Sequence, residues 1–209
     1  MKVTHDRIVD AGIDRDELER RKTLYGSFTD AVRELVDATI RTEVDDEVIR
    51  EVQAEITAAT AKLRARQIDG AFGMRRTISG ETFSWGNAGV GVRNAVAPPL
   101  VIERDDTGRH WTHVTLGAAY EGPPGHVHGG IGALVLDHLL GVTGSATERR
   151  LTGTLTLRYR RGTPLGPLYA EAQVVEVDGR KAIVRGTLSD AEGVTIEAEG
   201  IFISPGPSV

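Results

Sequence analysis

Residues 121–142 read EGPPGHVHGGIGALVLDHLLGV, and the reading of the fold starts from them. Gly122, Pro123, Pro124 and Gly125 make a tight loop. His126, His128, Gly129 and Gly130 then lead into a nearly continuous apolar run, the pattern of a loop feeding a helix. That helix carries Ile131, Ala133, Leu134, Val135, Leu136, Leu139, Leu140 and Val142 around its whole circumference. A helix apolar on all sides is normally buried in the middle of a domain. Asp137 interrupts it. An unpaired carboxylate among apolar side chains is costly, so Asp137 is expected to shift its pKa, find a partner or line a cavity.

Strand signals follow this helix. Residues 151–160, LTGTLTLRYR, alternate strictly. The alternation puts Thr152, Thr154, Thr156, Arg158 and Arg160 on one face, and Leu151, Leu155, Leu157 and Tyr159 on the other. Residues 168–177 and 181–188 flank Asp178-Gly179, a two-residue hairpin signal. Residues 194–203 follow a turn at Glu192-Gly193 and bring Val194, Ile196, Ala198 and Phe202 near one face. Before the helix, strands are expected at Leu100–Glu103 and Trp111–Leu116, joined by the turn Asp105-Asp106-Thr107-Gly108. The order is strands, one buried helix, then an antiparallel meander. It fits an α+β domain in which a curved antiparallel sheet wraps a central helix, each burying the other's apolar surface.

Nearer the N-terminus the composition changes. Only three of the 25 glycines (Gly12, Gly26, Gly70) lie at or before residue 70. Ser27 with Asp30 resembles a capping box ahead of a stripe formed by Phe28, Val32, Leu35, Val36 and Ile40. A second helix starts at Asp45 or Asp46 and places Val48, Val52, Ile56, Ala59 and Leu63 along one side. These one-sided stripes imply a helical extension over residues 1–75 that packs on something else, as a flap or a subunit contact. The second domain then takes residues 76–209. Residues 71–90 are ambiguous, with strand-like pieces around Phe83–Trp85.

Composition excludes several classes. The net charge of −5 over 209 residues gives no reason to expect nucleic acid or an anionic membrane as partner. The absence of cysteine removes disulfides, thiolate catalysis and Cys-bound zinc. The charged start MKVTHDRIVDAGIDRDELER lacks the apolar core of a secretory signal, and its acids argue against a transit peptide. No uncharged apolar run approaches the ~20 residues a spanning helix needs. A soluble cytoplasmic protein is the expectation.

His128-Gly129-Gly130, followed six residues later by Asp137, resembles the hotdog-fold acyl-CoA thioesterases. The type it is most similar to is the phenylacetic-acid-pathway group, with the related mammalian acyl-CoA thioesterases that carry an N-terminal extension. NAVAPPLVIE (94–103), YEGPPG (120–125) and TGTLTLRYRR (152–161) agree with it, so the resemblance covers about residues 90–204 and no part of 1–75. It implies a hotdog fold, hydrolysis of an acyl-CoA thioester, and no cofactor beyond the coenzyme A of the substrate. It also implies a homo-oligomer, either a dimer or a dimer of dimers. Asp137 would be the catalytic carboxylate, and Gly130, less securely Gly129, the amide that polarises the carbonyl. Thr152 matches a Ser or Thr often found early in the strand after the helix. The YRR-G run departs from the YxRP pattern often seen there.

The residues themselves support that chemistry. Thioester hydrolysis needs charge stabilisation at the carbonyl oxygen and a base or nucleophile at its carbon. Free amides at a helix N-terminus supply the first, and glycines let a ligand approach them. Asp137 supplies the second, by activating water or by direct attack. Gly130 and Asp137 are two turns apart, about 10 Å along the axis, so one carbonyl reaches both only if two subunits share the site. Bland readings stand beside these. Asp137 could pair with an Arg or His for structure alone, His128 is as readily a turn residue as a catalytic helper, and Thr152 an ordinary strand residue. Arg158, Arg160, Arg161, Arg180 and Lys181 either meet the coenzyme A phosphates or are solvated charges. Alternatives for the whole protein are a non-catalytic acyl-CoA-binding module, an acyl-CoA hydratase, or a metal hydrolase. The last would use His126 and His128 with His110 or His113 and Asp137.

Overall fold

The computed structural model describes residues 8–205. The start of the leader expectation and the outer ends of the two domain ranges, at residues 1–7 and 206–209, lie outside the described residues. The chain divides into two compact units, one running to Asn87 and taking in Gly91–Ala95, the other holding Ala88–Val90 and everything from Val96 on. Residues 76–87 thus group with the helical segment rather than with the larger sheet.

The first unit contains β1 (Val9–Asp10), α1 (Arg15–Arg41), α2 (Asp46–Arg64), β2 (Arg75–Arg76) and β3 (Thr82–Phe83). Helix α1 starts twelve residues before the expected Ser27 cap. Asp14 is its N-cap, and its side chain accepts the Glu17 amide at 2.9 Å. Ile13 and Leu18 flank that cap and are buried in one cluster with Trp85, fixing the chain's entrance to the helix. Ser27 is therefore an interior helix residue; an Asp-x-x-Glu signal upstream outranked it. Helix α2 begins as expected after Asp45, yet none of its residues is buried.

The second unit is a six-stranded antiparallel sheet with one long helix against it. Its elements are β4 (Glu103–Arg104), β5 (His110–Leu116), α3 (Gly129–Gly144), β6 (Leu151–Tyr159), β7 (Gly166–Asp178), β8 (Lys181–Asp190) and β9 (Gly193–Ile203). The strand order is β4-β5-β7-β8-β9-β6. The expected strand at Leu100–Glu103 shrinks to the two residues of β4, and the Leu100 amide turns back to the Pro98 carbonyl at 2.7 Å instead of joining a ladder. The hairpin after β7 closes through Gly179 and Arg180, with Asp178 paired to Lys181 and Gly179 at φ +54°.

Val135, Leu136, Leu139 and Leu140 of α3 are fully buried, packed with Leu116, Ala170, Val184, Leu188, Ile196 and Phe202 from the sheet. Helix and sheet approach closely: a Cβ on Gly186 of β8 would stand 2.6 Å from the Glu171 carbonyl and 2.7 Å from Leu140. The burial is not all-round, however. Ile131, Ala133, Leu134, Asp137, His138, Gly141 and Val142 are only half-buried, so α3 presents a second, open apolar side.

Strand β6 breaks its predicted alternation. A register shift between Thr152 and Thr154 leaves Gly153 as an extra residue. Such a bulge inverts the facing of everything beyond it. Thr152 pairs with buried Phe202, while Leu155, Leu157 and Tyr159 pair with Gly200, Ala198 and Ile196. All four therefore face the helix, although strict alternation had separated Thr152 from the other three. Val194 is likewise displaced by the irregular pairing between Leu188 and Ser189, and is exposed while its neighbour Thr195 is buried.

Candidate functional site

The start of α3 is held by the loop before it. Gly125 (φ +73°) turns the chain, and its amide donates to Glu121 Oε1 at 2.7 Å. The His126 amide donates to the Pro123 carbonyl, and the Gly122 amide returns to the His126 carbonyl. Buried Val127 donates to the Thr163 carbonyl, and His128 donates its amide to the Tyr120 carbonyl. His128 is thereby fixed as the N-cap of α3. Its Nδ1 accepts the Gly130 amide at 3.1 Å, and Gly130 is exposed. Among the described residues, no acceptor meets the amide of Gly129. Tyr159 lies over the same turn, donating its hydroxyl to the Gly129 carbonyl at 2.9 Å with its ring against the Gly129 Cα.

Asp137 lies two turns further along α3 and is half-buried. It has a partner: the Thr152 hydroxyl donates to its Oδ1 at 3.1 Å. The Gly153 bulge is what makes that bond possible, because it rotates Thr152 toward the helix. His138 follows Asp137. Burial pushes its imidazole below the ordinary histidine range, and the negative charge of Asp137 partly opposes that shift. Its ring lies so close to Gly89 that a Cβ there would stand 2.7 Å from it. At the far end of the helix, nearly buried Arg150 donates to the Gly144 carbonyl at 2.9 Å and so neutralises the C-terminus.

The expected basic residues are not gathered at this site within one chain. Arg158 lines an open groove of ≈ 670 Å³ together with Arg109, Arg185, Glu171, Glu197 and Glu199. That groove lies on the sheet face away from α3, where the bulge in β6 directs Arg158. Arg160 is paired with Glu197 at 2.7 Å, and Arg161 binds Asp190. Arg180 is committed to the Ser204 carbonyl at the hairpin. Lys181 is exposed and pairs across β9 with Ile203, which in turn pairs with Leu151. Arg180 and Lys181 are thus at the Thr152 end of the sheet, and Arg158 and Arg160 at the opposite end.

The histidines do not converge either. His126 turns its Nδ1 to the Pro124 carbonyl at 2.9 Å, and His110 is buried on β5. Among the described residues no three of His, Asp and Glu are grouped to hold a metal ion. Tyr159 and His138 were missed as site residues. For Tyr159 a signal existed: the alternation placed it on the leucine face of its strand, the face that meets the helix.

The comparisons bear on this arrangement directly. Residues 124–197, which hold the loop, α3 and the strands that follow, match the sequence profile of the thioesterase superfamily. The crystal structure of a thioesterase superfamily protein is 34% identical and superimposes with a TM-score of 0.77, covering 94% of this chain and 95% of that one. The chain belongs to the thioesterase superfamily. With that membership goes the hotdog fold, so the sheet and the central helix are the family's architecture. The acyl-coenzyme A thioesterase THEM4 of Mus musculus is 30% identical over 94 residues, 44% of this chain and 41% of that protein. Its Rattus norvegicus counterpart is 29% identical over the same shares. The chain thus matches less than half the length of these curated relatives. Among the described residues no helix is long and apolar enough to cross a membrane.

Proposed function

We propose that this chain hydrolyses the thioester of an acyl-CoA to the free acid and CoA. The observation that carries the reading is the pairing of Asp137 with Thr152 on the half-open side of α3, two turns from an exposed glycine N-terminus. In the reaction the carbonyl oxygen takes up negative charge, which helix N-terminal amides are oriented to receive. Gly129 brings an amide without an acceptor; the Gly130 amide joins it once the His128 ring turns aside. The glycine with the ready amide is therefore Gly129, which shifts the emphasis from Gly130. Asp137 takes the proton from an attacking water or attacks the carbonyl carbon itself, and Thr152 holds the carboxylate in place. By the first route the C–S bond breaks and the thiolate of CoA takes the proton from Asp137. By the second it breaks to leave an acyl anhydride on Asp137, which water opens to the free acid and the carboxylate, its proton passing to the thiolate. Repeated turnover in ¹⁸O-labelled water separates the two routes: an Asp137 anhydride opened at its aspartyl carbon leaves label in Asp137, whereas water activation puts label only in the released acid.

The ~10 Å along α3 between the glycines and Asp137 requires that one copy supply the amides and another the carboxylate, so the working unit is a homodimer or a dimer of dimers. Arg180 and Lys181, at the Thr152 end of the sheet, are the basic pair assigned to the CoA phosphates. A panel of acyl-CoAs of graded chain length with one aryl-acyl member tests the activity; no turnover with any of them ends this reading in favour of a binding module. Mixing Asp137→Ala with Gly130→Pro chains, each inactive alone, is expected to restore activity as subunits exchange. Mixed dimers that form and stay inactive would refute the shared site.

A further inference from the structure

Helix α2 is 19 residues long and buries none of them, yet it carries a regular apolar seam. Ile49, Val52, Ile56, Ala59 and Leu63 recur at intervals of three, four, three and four, the spacing at which two helices interlock. Ile49 is 44% exposed, Val52 36%, Ile56 38% and Leu63 57%. A lone helix of this length is marginal in water, and an open seam of branched side chains adds to the cost.

The distribution of charge selects the occupant. The first half of α2 holds Asp46, Glu47, Glu51 and Glu55 against the single Arg50, and the last turns hold Lys62 and Arg64 with no acid. A parallel copy would set acid against acid. An antiparallel copy sets the acidic half against the basic end twice over, brings Ile56 and Ala59 of each helix to the middle of the contact, and opposes the two helix dipoles. The seam is then complementary to itself, as a two-fold interface requires. We propose that α2 is an association helix that pairs antiparallel with the α2 of a second copy of this chain. Glu55 and Lys62 flank the seam and face each other across it. The proposal is independent of the thioesterase reading, since no residue of α2 belongs to the candidate site.

The chain has no cysteine, so an introduced thiol is the only one present. Mild oxidation of the full-length Ala59→Cys protein is expected to give a covalent dimer on a non-reducing gel, because mid-seam thiols meet their own copies. Val52→Cys and Leu63→Cys are each expected to stay uncrosslinked alone and to crosslink when mixed and allowed to exchange. Ala61→Cys, on the opposite side of α2, controls for chance collision and is expected to stay monomeric on the gel. Self-crosslinking at position 52 or 63 would mean a parallel pair and overturn the proposal. So would an Ala61→Cys dimer as strong as the Ala59→Cys one, or no crosslink at any seam position. In the Ala59→Cys background, Glu55→Lys or Lys62→Glu alone is expected to slow crosslinking several-fold and the two together to restore it. A double swap that stays slow refutes the charge pairing and with it the antiparallel assignment.

Discussion

Asp137→Asn separates chemistry from architecture at the centre of α3. The change keeps side-chain size and removes the charge. If the carboxylate is the base or nucleophile, kcat is expected to fall by about a hundredfold or more, which at about 1.36 kcal/mol per decade is about 2.7 kcal/mol of lost transition-state stabilisation. Stability is expected to change little. The Thr152 hydroxyl, 3.1 Å from Oδ1 in the native chain, can donate equally to an amide oxygen. What is lost is the charge assistance of one hydrogen bond, on the order of 1 kcal/mol, offset in part by no longer desolvating a half-buried carboxylate. For a chain of this size a change of about 1 kcal/mol moves Tm by only about 2–4 °C. A second readout comes from His138. Burial lowers its pKa and the Asp137 charge opposes that lowering, so neutralising Asp137 is expected to lower the His138 pKa further. Melting, acyl-CoA hydrolysis and the His138 titration by NMR can be followed on one preparation. A mutant that melts many degrees early yet hydrolyses at nearly the native rate would make Asp137 a structural residue. An unmoved or raised His138 pKa would show that the two side chains are not coupled as described.

Tyr159→Phe keeps the ring over Gly129 but removes the hydroxyl that fixes the Gly129 carbonyl; a loss of about 1 kcal/mol, roughly fivefold in kcat with KM unchanged, is expected in steady-state assays. Gly186→Ala is expected to destabilise the fold by about 1–3 kcal/mol in urea melts, because the new Cβ meets the Glu171 backbone, which cannot swing aside as a side-chain tip could. Asp190 is held down to about 2 by its hydrogen bond to the Arg161 guanidinium. Its folded pKa is depressed, so its stabilising contribution is complete above about pH 4 and is lost as pH falls toward 2. Between those values Asp190→Asn is expected to lose stability less steeply than the native chain; parallel melting curves would refute the pairing.

How far the sequence reaches is clearest along one strand. The helix and its loop were legible because Gly and Pro punctuate an apolar run long enough to admit no other reading, and α3 begins at Gly129 as that punctuation implies. The hairpin at Gly179 and the β7-β8-β9 meander were legible from their turn chemistry, whereas β6 closes the sheet against β9 rather than β7. The relation between Asp137 and Thr152 was not, because it depends on whether Gly153 continues the ladder or slips out of it. A glycine in a strand permits both, and the choice is made by pairing with β9, fifty residues away in sequence. Ser27 fails differently. Its capping pattern is genuine locally, but Asp14 caps the same helix earlier with Ile13 and Leu18 buried around it, and tertiary burial outweighs a local match. The open side of α3 carries the same lesson into function. Sequence alone reads an all-apolar helix as buried, whereas one chain covers only the side facing its own sheet, leaving Ile131, Leu134, Asp137 and Val142 half exposed. Apolar side chains bordering a carboxylate and a glycine N-terminus are what a second protomer and an acyl chain would both cover, so the residues that defeated the burial rule are the ones the proposed shared site needs.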